Sequence, residues 1–367
     1  MRPPVQRETI RVGVIGAGFG ASVHVPALRR VPGVEVRAIC GARHDRIRDA
    51  AYHLSIPGVF TDYREMLESD EIDAVTIAAP PHLHHAMALA ACEAGVHTLC
   101  EKPMARNVAE ARDMLRMARE AGICHAVAHQ TRHDPTRAEM KRLVDDGFIG
   151  TLHSASVVVY RSTLAHPERR AHDWLTDAAK SGGILGAIGS TYIDALRWWF
   201  GDIHAACGAI ATAVADQTPR VASASRPDDA DDNTAFVLRF ASGALATVHL
   251  CYTAATDAGE EVLATGSNGM LAIRDGGALF GAAHGGQFQS ILQPDRSGPG
   301  DSGADGAARN VRAFSILAGE WVLAMRTGAD ATPSFEDGAK VQEVVDAVAR
   351  SQQLSRWIDL SGNKWPV

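Results

Sequence analysis

Long apolar stretches are missing from this sequence, and no segment approaches the roughly 20 residues that a membrane-spanning helix requires. The first residues, 1–8, are polar and contain no apolar signal core, so a cytoplasmic location is the expectation. Cysteine is sparse and scattered. Cys40, Cys92, Cys100, Cys124, Cys207 and Cys251 form no Cys-x-x-Cys pair and several sit inside apolar runs, which suits a reducing compartment and not a disulfide framework. Positive charge is not in excess either. With 36 Lys and Arg against 43 Asp and Glu, the net charge of −7 argues against a nucleic-acid partner. No internal repeat is present. What remains, 367 residues with 46% hydrophobic and 22% charged side chains, suits a two-domain globular enzyme.

The stretch around which the chain is organised is Val12-Gly13-Val14-Ile15-Gly16-Ala17-Gly18-Phe19-Gly20-Ala21. An apolar run breaks into Gly-x-Gly, and residues 22–30 read as a helix, the strand–turn–helix geometry that offers backbone N–H groups to a phosphate. Gly16 permits the sharp turn, Gly18 admits a pyrophosphate, and the third small position, where helix packs on strand, falls on Ala21. Residues Gly16, Ala17, Gly18, Phe19 and Gly20 are therefore assigned to dinucleotide binding.

Apolar runs at 12–15, 34–40, 59–60, 74–79, 96–100 and 123–128 alternate with helices closed by Glu93-Ala94-Gly95 and Glu120-Ala121-Gly122, and Asn107 with Glu110 opens one of them as a capping pair. This pattern predicts an α/β N-terminal domain, a doubly wound parallel sheet of Rossmann type, over residues 1–131. Asp134-Pro135 starts a further helix, after which the texture changes. Residues 152–160 are β-branched, and 234–252 and 261–273 read as two hairpins, so residues 132–367 are expected to form an α+β domain on an open, mostly antiparallel sheet. The helix at 190–200 and segments from 307 onward are available to cover one face, and the other is expected to form a homo-oligomer interface, dimeric or tetrameric. Residues 217–233 and 276–308 read as surface loops.

Three strand ends carry candidate chemistry. After the second run come Gly41, Ala42 and Arg43, with no acid to grip the ribose hydroxyls. Arg43 is placed to accept a 2′-phosphate, which favours NADP over NAD, unless it is a solvated charge and Asp45 reaches back to the ribose. After the fourth come Ala79, Pro80, Pro81, His82, His84 and His85. The prolines shape a wall beside the nicotinamide, and His82 or His85 bonds the cofactor or the helix start. No carboxylate or thiolate completes a metal-ligand spacing there, so no metal is assigned. The fifth run ends in Glu101-Lys102-Pro103. A lysine beside an oxidised nicotinamide has its ammonium form disfavoured by desolvation and like charge, which suits it to exchange a proton with a substrate hydroxyl. The plain alternative is a Glu–Lys surface pair. Gln130, after the sixth run, joins Glu101 and Lys102 in the cofactor-binding set.

Together these residues resemble the glucose-fructose oxidoreductase / inositol dehydrogenase / MocA family. The matching text includes Gly13 to Gly18, His24-Val25-Pro26-Ala27-Leu28, Ala79-Pro80-Pro81-His82, Glu101-Lys102-Pro103, Gly147-Phe148-Ile149-Gly150, the stretch from Ser181-Gly182-Gly183 to Asp194, and Glu336-Asp337-Gly338. The resemblance covers nearly the whole chain. It implies NAD(P), a sugar, polyol or sugar-derivative substrate, and oligomers through the open sheet.

One departure stands out. Many relatives carry an Asp and, four residues on, a His that accepts the proton, and here those positions are Ala187 and Thr191. Neither can act as a base near neutral pH, and Thr191 can only hydrogen-bond a substrate hydroxyl. The proton transfer then falls to Lys102 alone, or to Tyr192 or Tyr160 in its place, as in some relatives that use a tyrosine acid. The third source is the segment with Arg161, His166, His172 and Trp174, whose composition suits a sugar. Asp194 joins Tyr160, Arg161, His172 and Trp174 as a substrate-side residue bracing the helix, and Trp198-Trp199-Phe200 reads as core. The reading is an oxidoreductase at a secondary alcohol or ketone, with Lys102, Thr191 and Tyr192 as catalytic candidates. The alternatives are a dinucleotide-binding regulator and a redox-neutral enzyme with tightly bound cofactor.

Overall fold

Six short strands pair in parallel at the start of the chain: β1 (Ile10–Ile15), β2 (Val34–Cys40), β3 (Gly58–Phe60), β4 (Ala74–Ile77), β5 (His97–Cys100) and β6 (His125–Val127), in the order β3-β2-β1-β4-β5-β6. The computed structural model describes residues 5, 7–166, 174–214, 229–293 and 304–362. Strand order reverses between β1 and β4, and in such a sheet the ligand crevice lies outside the carboxyl ends of the strands at that point. The helices between the strands are α1 (Val25–Leu28), α2 (His44–His53), α3 (Tyr63–Glu68), α4 (Pro81–Glu93) and α5 (Val108–Glu120). Pro81 starts α4 where its missing N–H costs nothing, and Asn107 caps α5 by accepting the Glu110 N–H at 3.0 Å. Gly95 and Gly122, both at positive φ, close these two helices.

The second sheet has nine strands: β7 (Leu152–Tyr160), β8 (Ile203–Ala211), β9 (Asn233–Phe240), β10 (Leu245–Cys251), β11 (Gly259–Gly266), β12 (Gly269–Arg274), β13 (Ala278–Ala283), β14 (Gln289–Leu292) and β15 (Ile358–Asp359). Their order is β14-β13-β12-β11-β7-β10-β9-β8-β15, antiparallel except for β7 with β10. Alternating burial leaves one face for a core built with α6 (Pro135–Asp145), α7 (Ser190–Phe200) and residues 341–348. Trp199 belongs to that core, and Trp198 and Phe200 pack against it.

Two expectations need correction. The described part of residues 276–308 is not loop throughout: it holds β13, β14 and the start of a long helix, α8 (Ala304–Thr327). The glycines that suggested a loop are hairpin turns, Gly276, Gly277 and Gly285 having positive φ, and Ala278 and Leu279 between them are fully buried. Nor does one boundary near residue 131 describe the compact units, which are Met1–Asp134 with Gly298–Lys340 and Pro135–Ser297 with Val341–Val367. The chain returns to the first unit because Phe314, Leu317, Trp321 and Met325 of α8 join the core of the parallel sheet. Of the expected loop 217–233, residues 217–228 lie outside the described residues. Among the described residues no helix is long and apolar enough to cross a membrane.

The return segment docks along β6. Val127 N–H donates to Pro333 O at 3.0 Å, Asp337 pairs with Arg132 at 3.1 Å, and the Asp337 carboxylate accepts the Ser334 N–H at 2.9 Å, closing a capping box at the start of α9 (Phe335–Leu354). This explains Glu336-Asp337-Gly338: a Cβ on Gly338 would meet the Met104 sulfur at 2.6 Å, next to the Lys102–Pro103 segment.

Candidate active site

Gly16 has φ +126°, and a Cβ there would overlap the Ala78 carbonyl oxygen. Its N–H donates to Cys40 O at 2.8 Å while Ala78 N–H donates to Ile15 O at 2.8 Å, so the turn is clamped between the ends of β2 and β4. Around Gly18 a Cβ would meet nothing within 4 Å, so the backbone is open to an approaching group. The position where helix meets strand most tightly is Gly20, not Ala21: a Cβ on Gly20 would come within 2.9 Å of Val14 Cγ1, whereas Ala21 is only partly buried. Ala17 packs on the core edge and Phe19 is exposed. Residues Gly20–His24 form a π-helical turn, Val25 N–H donating to Gly20 O.

At the end of β2, Gly41 is half-buried while Ala42 and Arg43 are exposed, and Arg43 precedes α2 with no side-chain cap on the helix. The Asp45 carboxylate is solvent-exposed, 3.9 Å from His44 Nδ1.

Beyond β4, Ala79 and Pro80 are half-buried. The histidine that meets this segment is His84. His84 is fully buried, its Nε2 donates to Ala79 O at 2.7 Å, and its Nδ1 lies 3.0 Å from Pro103 O. Burial pushes its pKa down, and the ring sits between the end of β4 and the segment after β5, each nitrogen facing a carbonyl oxygen. His85 points elsewhere, to Asp113 of α5 at 2.8 Å, and His82 stays half-buried in the first turn of α4. Position i+3 in a helix that starts with Pro was the available signal for His84.

Glu101 and Lys102 are not a surface pair. The Glu101 side chain is buried, its Oε1 3.0 Å from His24 Nε2 and its Oε2 accepting the Lys102 N–H at 3.1 Å. Burial opposes the Glu101 charge, but the His24 hydrogen bond and Lys102 outweigh it and hold the carboxyl below its usual range. Burial lowers the Lys102 pKa, and the Glu101 charge offsets only part of that. After β6, Gln130 is 4% exposed and its Oε1 is buried without a hydrogen-bond partner. A dinucleotide fits these residues, because the turn is open at Gly18 and a buried amide beyond β6 awaits a partner. Among the described residues no group of three or more His, Cys, Asp or Glu side chains is placed to hold a metal ion.

In the second unit, the glycines before α7 are required by their surroundings. A Cβ on Gly182 would overlap the backbone oxygens of Trp174 and Leu175, and one on Gly183 (φ +109°) would overlap Asp231 Oδ1. Asp231 then accepts Ile184 N–H at its backbone oxygen (2.9 Å) and Leu185 N–H at Oδ2 (2.8 Å). It thereby fixes the π-helical turn Leu185–Gly189 that leads into α7. Asp231 was hidden in an acidic stretch read as loop. Ala187, Thr191 and Asp194 are buried along this turn and helix, so no titratable base stands at the first two. Trp174 is half-buried in a short turn whose backbone packs on Gly182.

The two tyrosines do not share a place. Tyr192 is buried and its hydroxyl donates to Glu260 Oε2 at 2.9 Å, while Arg137 donates to Oε1 at 3.0 Å. Burial, then the Glu260 charge, pushes the phenol well above its ordinary range, and its hydroxyl proton is engaged by Glu260. Tyr160 follows the parity of Ser156 and Val158, opposite to the core-facing Val157 and Val159, and lies 3.4 Å from His249 Nδ1 on the other face of the sheet. That removes it from the α7 side. Arg161 is half-buried beyond β7, its N–H donating to Cys251 O at 2.8 Å, and His166 is exposed. His172 lies outside the described residues.

Burial raises the Asp231 pKa to about 6, from 3.8, despite its backbone hydrogen bonds. A carboxyl raised in the folded state binds more protons folded than unfolded, so its ionisation costs stability as pH rises from about 4 to 6. Relative to Asp231→Asn, the wild type should lose up to about 3 kcal/mol over that window, read from urea unfolding at each pH. Parallel stability profiles would refute this.

The oxidoreductase family profile with an NAD-binding Rossmann fold (Gfo/Idh/MocA) matches residues 10–129, and the GFO/IDH/MocA C-terminal domain profile matches residues 138–272. The chain is 26% identical to the levoglucosan dehydrogenase of Pseudarthrobacter phenanthrenivorans over 96% of its length and 98% of that protein. It is 27% identical to the D-apiose dehydrogenase of Paraburkholderia graminis, over 95% of this chain and 88% of that one. The structure of levoglucosan dehydrogenase in complex with NADH and L-sorbose superposes with a TM-score of 0.85 at 26% identity, covering 96% of this chain and 99% of that chain. With both of its units matched, and with the glycine turn and the buried Glu-Lys pair in place, the chain belongs to the Gfo/Idh/MocA family of oxidoreductases.

Proposed function

We propose that this chain is an NAD(P)-dependent dehydrogenase of a sugar or polyol, oxidising a secondary alcohol or reducing the corresponding ketone, with Lys102 as the proton-exchanging group. The observation that carries this is Lys102 itself: at the carboxyl end of β5, in the sheet whose turn is open at Gly18, with an ammonium disfavoured by burial. The backbone of 16–20 would hold the pyrophosphate, Ala79 and Pro80 the wall, and Gln130 a polar contact. The bound dinucleotide supplies the hydride acceptor or donor. In oxidation the neutral Lys102 amine accepts the hydroxyl proton as the carbon loses hydride, and Glu101 stabilises the ammonium that forms. Thr191 offers a hydroxyl for a substrate oxygen. Sugar substrates are supported by the relatives named levoglucosan and D-apiose dehydrogenase.

Arg43 supports NADP. It is exposed beside the uncapped start of α2, with no acid at the end of β2. Arg43→Ala should weaken NADP binding about tenfold or more and leave NAD binding nearly unchanged, measured by titration of each dinucleotide. Equal losses for both would remove Arg43 from 2′-phosphate recognition. The uncovered sheet face, with Ser154, Ser156, Val158, Leu245 and Thr247, supports a homo-oligomer.

The deciding experiment follows nicotinamide absorbance with NAD and NADP separately across a panel of sugars and polyols. Substrate-dependent reduction supports the dehydrogenase. Tight dinucleotide binding without hydride transfer to any member would favour a redox-silent relative, for which the absence of a base at Ala187 and Thr191 is the specific observation.

A further inference from the structure

His24 is fully buried in the π-helical turn that follows the glycine motif. Its ring stacks on Phe314 of α8, centroids 3.9 Å apart and planes at 22°, and meets the edge of Phe19 at 5.7 Å. A phenylalanine would fill that slot without leaving a polar atom. Histidine does leave one: Nδ1 is buried with no hydrogen-bond partner, a cost of about 1–3 kcal/mol for such a group. What the ring gains in return is a single contact, Nε2 to Glu101 Oε1 at 3.0 Å. A carboxylate only accepts, so Nε2–H is the donor. The other Glu101 oxygen takes the Lys102 N–H, and Glu101 N–H donates to Ile77 O of β4 at 2.8 Å. The π-helical turn inserts one residue between Gly20 and Val25 relative to an α-helical turn, which directs residue 24 inward.

The geometry points to His24 as a positioning residue for proton exchange at Lys102, acting through the Glu101 carboxylate, which is hydrogen-bonded to the phosphate-binding turn on one side and to the backbone N–H of Lys102 on the other, and whose charge bears on the Lys102 amine. This rests on the assignment of Lys102 above. Among the described contacts, Glu101 meets His24 from the turn and the Ile77 carbonyl from β4, its charge reaches the His84 ring of α4, and the apolar Phe314 backs His24. Of these, only His24 donates a side-chain hydrogen bond to the carboxylate. Without that donor the buried carboxyl protonates more readily, and Lys102 loses the charge that supports its ammonium.

The test is the Lys102 titration midpoint, read by the rate of acylation of its amine across pH with peptide mass spectrometry, alongside single-turnover hydride transfer and dinucleotide Kd. His24→Phe should move the midpoint to lower pH by about one pH unit while Kd stays within about threefold. Glu101→Gln should give the same displacement, and His24→Phe should add nothing in that background. His24→Gln, whose amide can still donate to Glu101, should restore the wild-type midpoint and serves if the phenylalanine variant does not fold. A wild-type midpoint in His24→Phe, or a displacement that persists without Glu101, would overturn the inference. Hydride transfer surviving in Lys102→Ala would overturn the assignment of Lys102 instead, and the labelling midpoint would still decide what His24 does.

Discussion

Replacing Lys102 by Ala should lower hydride transfer by about a hundred- to ten-thousand-fold, the range for removing a positioned general acid or base, with dinucleotide affinity kept within a few-fold. The reasoning is structural as well as chemical. Lys102 follows the last residue of β5 by two positions, where its backbone N–H is held by Glu101, so its side chain is presented by a rigid element. Lys102→Arg separates two roles. A guanidinium keeps the charge but cannot deprotonate near neutral pH, so loss in both variants means proton exchange, while activity in the arginine variant means that charge alone polarises the oxygen. Turnover retained in Lys102→Ala would take this residue out of the mechanism.

The second large effect is a contrast between two glycines two residues apart. Gly16→Ala should damage the fold. The position has φ +126°, a conformation that costs a side-chain-bearing residue about 1–3 kcal/mol, and the added Cβ would overlap the Ala78 carbonyl where β1 meets β4. Relief requires the two strands to part, so a loss of about 3 kcal/mol or more in urea unfolding is expected, with dinucleotide binding lost alongside. Gly18→Ala meets nothing within 4 Å and should fold like the wild type, yet bind a dinucleotide about tenfold or more weakly, because its Cβ occupies the space a pyrophosphate would take. Unfolding at the same urea concentration in wild type and Gly16→Ala would contradict the steric argument. Unimpaired binding in Gly18→Ala would show that the pyrophosphate does not pass there.

Much of this was legible in the chain, for a definite reason. Strands β1 and β4 are buried almost throughout, so they read as largely apolar runs, and the helices between the strands carry local stop signals such as Gly95 and Gly122. The hairpins β9–β10 and β11–β12 announced themselves through short turns between alternating residues. Strand β13 did not: Ala278-Leu279-Phe280-Gly281 is short and glycine-flanked, and it becomes a strand because β12 offers it an edge and Phe148 packs over Gly281. Composition cannot report such a partner.

The chemistry divides the same way. The order of residues by itself determined that a glycine turn follows the first strand, that Lys102 ends the fifth, and that no acid or histidine stands at 187 and 191, since each is a property of a local segment. Only the tertiary structure decided which groups these residues meet. Glu101 is bonded by a histidine 77 positions earlier, Tyr192 spends its hydroxyl on Glu260, 68 positions later, and Asp231 closes the helix start at Leu185 across 46 residues. Buried polar groups must find partners, and the nearest partner in space is set by how strands and helices stack, which sequence separation does not record.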